Sequence, residues 1–148
     1  MSHKPSKLRW AGLLIGAGLL LVGFALPRTS PEVRLNALEI ANQPMGGDRT
    51  VRVAEVFSET PGWLVVHADR GHRAGPIIGW THVDAGEHLQ VPVRVRLPET
   101  LDASGLYVVL HADGGTLGRF EYPGPDAPAR GPQGQTIIDR FQLSLKPE

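Results

Sequence analysis

The chain has 148 residues, no net formal charge and no cysteine, which leaves room for one domain and a short leader. Without cysteine, disulfides, a lipid-modified cysteine, thiolate metal sites, a blue-copper centre and cysteine nucleophiles are all excluded. Hydrophobic residues at 41% and charged residues at 20% exclude a disordered chain, and 18 Gly with 13 Pro favour short strands joined by tight turns over long helices.

The charge is unevenly placed. Residues 1–28 carry Lys4, Lys7, Arg9 and Arg28 without an acid, which leaves the remainder near −4. An acidic domain has no general attraction to nucleic acid, whereas a basic leader matches the positive-inside asymmetry of a membrane segment. Residues 10–26 run without a charge and reach roughly 25 Å as a helix, close to a bilayer core once Trp10 sits at the interface and Lys7 and Arg9 snorkel. Pro27 ends the helix. The expected organisation is a basic cytoplasmic tail at 1–9, a transmembrane anchor at 10–27, a linker at 28–32 and an extracytoplasmic or periplasmic domain at 33–148. A cleaved signal peptide is the alternative, with Gly23-Phe24-Ala25 as its small-x-small site. Gly12 and Gly16 form a GxxxG pair, a spacing that suits helix packing but is common in such segments.

Strand-like runs follow at 33–40, 50–57, 62–68, 76–82, 88–97, 105–112, 117–122 and 136–145. The clearest is residues 89–97, in which Leu89, Val91, Val93, Val95 and Leu97 alternate with polar residues or Pro92. That period of two predicts one buried and one wet face, and Pro92 predicts an edge strand or a bulge. Gly and Asp supply the turns between, at Gly46-Gly47-Asp48, Asp69-Arg70-Gly71, Asp84-Ala85-Gly86 and Asp113-Gly114-Gly115. Residues 122–135 form a long Pro- and Gly-rich loop, ordered or flexible. The pattern predicts an all-β, immunoglobulin-like two-sheet sandwich of seven or eight strands behind one N-terminal transmembrane helix.

Six motifs stand in a recognisable order. They are Gly62–Asp69 (GWLVVHAD), Ile78-Gly79, Ala85-Gly86-Glu87-His88, the Val108 to Asp113 run, Asp126-Ala127-Pro128, and Ile137-Ile138-Asp139-Arg140-Phe141. In this the chain resembles a family of uncharacterised extracytoplasmic β-sandwich domains, common in haloarchaeal surface proteins and found also in bacteria. The resemblance implies the fold and an exported location; it carries no catalytic residues with it.

Two histidine-bearing segments look alike, each closing in His-Ala-Asp, at His67 and at His111. If strands alternate in direction, those ends lie apart by a strand length of about 17–20 Å, too far for a shared metal. The same counting places His82, His88 and His111 at one end, near Asp84, Glu87 and Asp113, as candidate ligands for Cu, Zn or Ni. The alternative is that His88 and His111 only hydrogen-bond turn backbones. His67 and His72 then read as surface or turn residues. Trp63 and Trp80 read as core fillers, and Arg52, Arg94 and Arg96 as solvated charges that protect sheet edges. Asp139 shares parity with inward residues and needs an Arg or amide partner.

Catalysis finds no support. Ser30, Ser58, Ser104 and Ser144 lack a nucleophile-elbow context, the carboxylates sit singly in turns, and the glycines at 114–118 precede no helix. The expected function is a non-enzymatic extracytoplasmic module that binds a protein partner or supports an envelope complex. A metal-binding module built on His82, His88 and His111 is the alternative.

Overall fold

A computed structural model describes residues 33–97 and 105–144; the expected tail, anchor and linker lie outside the described residues. Within them every regular element is a strand: β1 Ala37–Glu39, β2 Gln43–Pro44, β3 Thr50–Ser58, β4 Gly62–Asp69, β5 Ala74–Val83, β6 Gly86–Arg94, β7 Leu106–Ala112, β8 Ile138–Phe141 and β9 Leu143–Ser144. They form an antiparallel three-stranded sheet, β1-β3-β6, an antiparallel four-stranded sheet, β5-β4-β7-β8, and a short parallel pair, β2-β9.

One apolar core draws on both larger sheets. The three-stranded sheet contributes Val51, Val53, Val56 and Val93; the four-stranded sheet contributes Leu64, Val66, Ala68, Leu106, Val108, Leu110 and Phe141. In β4 and β7 these inward residues are the even-numbered positions up to Leu110. Their odd-numbered neighbours Trp63, Val65, His67, Tyr107, Val109 and His111 face the other way, and all are buried as well. A strand covered on both faces reads as a continuous apolar run rather than an alternation, which is what Trp63-Leu64-Val65-Val66 and Leu106-Tyr107-Val108-Val109-Leu110 show.

Two sequence expectations need correction here. Residues 117–122 form turns, not a strand. The amides of Gly114, Gly115 and Glu121 are taken by the buried Asp126 carboxylate at 3.0, 3.3 and 2.6 Å, so they cannot join a ladder. Leu89, expected inside, is 65% exposed. Gln90 takes a left-handed φ of 53°, and the face of the sheet switches there: Val53 opposite Val91 packs toward the core on one side, and Val56 opposite His88 on the other. The alternation holds from Val91 onward, and β6 is an edge strand, as Pro92 requires.

Candidate functional site

The site lies on the outer face of the four-stranded sheet. Strands β4 and β7 are neighbours, with Trp63 opposite His111, Val65 opposite Val109 and His67 opposite Tyr107. The segment after β7 returns over this face. It bridges back at Pro128 to His111, and the Ala112 amide donates to the Ala127 carbonyl at 2.9 Å. Phe120 from this cover stacks on Trp80 with ring centroids 5.2 Å apart and packs against Trp63 at 5.4 Å, while Tyr122 meets His111 edge-on at 4.8 Å. Asp126 is the anchor of the cover: its side chain binds three amides and its carbonyl accepts from His111.

Beneath the cover is a pocket of about 400 Å³, walled by Ile77, Val109, Tyr122, Pro123, Pro128 and Ile138, with His67 and His111 in its lining. The two imidazoles are nearly parallel, 18° between planes, with centroids 6.1 Å apart. The two strand ends do lie at opposite ends of the β4–β7 ladder, where Gly62 pairs with Ala112, but the expectation that this keeps the side chains a strand length apart is overturned. Adjacent antiparallel strands put the two residues on opposite sides of the Val65–Val109 pair on one face, and each long side chain leans in over that pair. The reading of His67 as a surface residue falls with it, as does that of Trp80 as a core filler, while Trp63 is buried as that reading expects. His67 is 6% exposed; Trp63 is buried on this outer face, and Trp80 is 52% exposed.

Both imidazoles are held alike. His67 Nδ1 donates to the Gly75 carbonyl at 2.8 Å, and His111 Nδ1 donates to the Asp126 carbonyl at 2.8 Å. A carbonyl only accepts, so the proton of each neutral ring is on Nδ1 and each Nε2 is a bare lone pair. Neither Nε2 has a hydrogen-bond partner among the described residues, and both atoms are buried. Burial pushes each imidazole's pKa down; the carbonyl bonds oppose this, and at His111 the nearness of His67 adds to it. A buried acceptor left unpaired costs about 1–3 kcal/mol, and each of these two pocket-lining histidines carries one.

The other predicted histidines take different roles. His82 Nε2 donates to Asp113 Oδ2 at 3.1 Å and its ring lies edge-on to Trp63. The Gly118 amide, and then His82, hold the Asp113 carboxyl below the usual carboxylate range. His88 Nε2 donates to the Asp84 carbonyl at 2.9 Å, a turn-backbone bond of the kind the sequence allows. Among the described residues no group of three or more His, Asp or Glu is placed to hold a metal ion. His72 is exposed, with φ 61°, and donates its amide to Asp69 Oδ1. Asp139 finds its amide partner in Ile40 at 3.2 Å.

A family model described as Domain of unknown function (DUF7282) matches residues 36–144. No curated protein and no solved structure matches the chain.

Proposed function

We propose that this chain, which belongs to the DUF7282 family of domains of unknown function, is a non-enzymatic binding module that takes a ligand in the pocket over β4 and β7. In this reading its described part is an immunoglobulin-like sandwich displayed outside the membrane, tethered by residues 10–27. The basic start of the chain and its uncharged run support the tether. One observation carries the binding reading: two histidines lining one pocket, each with a buried, unpaired Nε2 and each fixed by a carbonyl on the other ring nitrogen. Core histidines that serve only packing have no need of matched orientation, and an apolar side chain fills such space without the desolvation cost.

The test is intact mass under non-denaturing conditions on the full chain purified from its own membranes. Wild type is expected to carry a one-to-one ligand that is missing from a His67→Leu/His111→Leu double variant. Wild type at the mass of the bare chain overturns the reading.

A protein partner on the same face is the second reading, favoured by exposed aromatic and aliphatic surface there. Trp80 is 52% exposed on Phe120, and Tyr122 and Ile138 at the pocket are 40% and 42% exposed. Aromatic anchors of this kind dominate protein interfaces. Crosslinking in intact membranes through a photoreactive residue at 80 is expected to trap a neighbour; the same yield from an exposed position on β6 contradicts it.

A further inference from the structure

We infer that the ligand of this pocket is a single monovalent copper ion, held between Nε2 of His67 and Nε2 of His111; the inference rests on the binding reading above. Four observations point there.

Donor number comes first. The pocket offers two imidazole nitrogens and no carboxylate or thiolate, and no third His, Asp or Glu joins them among the described residues. Zinc sites use three or four protein ligands, and Cu(II) and Ni(II) take tetragonal sets. Cu(I) alone of the common imidazole-binding ions is satisfied by two nitrogens in line.

Spacing is next. Metal–nitrogen bonds of about 2.0 Å and a ring radius of about 1.2 Å set the centroids of two head-on imidazoles roughly 6.4 Å apart. The centroids of the two rings, which lie nearly parallel as a stacked pair, are 6.1 Å apart, the separation that one ion between them requires.

Charge follows. Apart from the imidazoles, the walls are mainly Val, Ile, Pro and Tyr. The desolvation cost of an ion grows as the square of its charge, so a divalent ion entering this pocket meets about four times the cost of a monovalent one of equal size.

Lastly, ligating histidines characteristically donate their second ring nitrogen to a carbonyl or carboxylate, which fixes the tautomer and raises ligand basicity. Gly75 and Asp126 do this for both rings.

The experiment is an anaerobic titration of the full chain with Cu(I) against a coloured Cu(I) chelator, with Zn(II) titrated separately. Wild type is expected to withdraw one equivalent of Cu(I) and to hold it at least a hundredfold more tightly than Zn(II). His67→Leu and His111→Leu each lower Cu(I) affinity at least a hundredfold. His67→Met restores it to within about tenfold of wild type, because a thioether is a soft donor but a poor hydrogen-bond acceptor. A folded wild type that takes no Cu(I), or a double Leu variant that still takes one equivalent, overturns the copper assignment. Leu and Met variants that lose binding equally overturn it too, since the pocket then serves a hydrogen-bond donor. A different one-to-one species on the purified chain, lost in the double variant, leaves the binding reading standing while the copper assignment falls.

Discussion

Stability should fall as pH drops through the ordinary histidine range, because His67 and His111 are buried as neutral rings. The perturbation is pH, with His67→Gln/His111→Gln as its control. In the unfolded chain both imidazoles take up protons below about 6.5. In the folded chain burial holds both pKa values below that. The unfolded state therefore binds more protons as pH falls, so the stability tied to these rings is present above 6.5 and is lost below it. Each ring contributes a slope of at most about 1.4 kcal/mol per pH unit, which for two rings between pH 6.5 and 5.0 is at most about 4 kcal/mol. That is a large share of a typical domain's 5–15 kcal/mol. Urea unfolding followed by tryptophan fluorescence at pH 7.5, 6.5, 5.5 and 5.0 measures it, since Trp63 and Trp80 both pack on Phe120. The expected result is a midpoint that is level above pH 7, falls steeply below 6.5 and flattens in the double variant. A level midpoint down to pH 5, or a double variant with the full slope, refutes the reasoning.

Two further changes follow from the packing. Asp126→Ala strips partners from the amides of Gly114, Gly115 and Glu121 and should cost about 3 kcal/mol or more; the near-ultraviolet circular dichroism of the aromatic cover should weaken in step, and an unchanged spectrum contradicts the anchoring role. Gly79→Ala drives a methyl into the Arg94 carbonyl, with the Val95 Cα only 3.2 Å away, so urea unfolding should show a loss of about 1–3 kcal/mol from overpacking. For the tether, the full chain should resist extraction from membranes by alkaline carbonate, while a chain starting at residue 29 should be recovered in the soluble fraction. Recovery of the full chain there speaks against residues 10–27 as an anchor.

Much of the all-β organisation was legible in local pattern. Runs such as Gly62–Asp69 and the alternation from Val91 onward depend on side-chain period, which sequence displays directly. The edge position of β6 was legible for the same reason, through Pro92. What escaped depends on contacts between distant residues. Gln90's positive φ turned Leu89 outward, and nothing local marks Gln as the residue to adopt it. Carboxylates in the turn claimed the amides that an apparent strand needed: Asp126 those of Gly114, Gly115 and Glu121, Asp113 that of Gly118 and Glu121 that of Thr116. Strand length alone separates His67 from His111 and hides the pair. Register decides instead: Gly62 pairs with Ala112, so the two rings flank one valine pair. A usable signal was present. Odd positions of both segments hold Trp63, Val65, Tyr107 and Val109 rather than charged residues, which implies cover on both faces, and Phe120 and Tyr122 were available in the following loop to provide it.

The central claim is that His67 and His111, which line one pocket, each carry a bare, buried Nε2 acceptor. Side-chain ¹⁵N–¹H correlation spectra of the ligand-free protein at pH 7.5 test it most directly. Both residues are expected to show a protonated Nδ1 and an unprotonated Nε2, and both Nε2 signals should move together on adding one equivalent of Cu(I). An Nε2-protonated tautomer at either residue contradicts the account, because that ring then has no lone pair to offer the pocket.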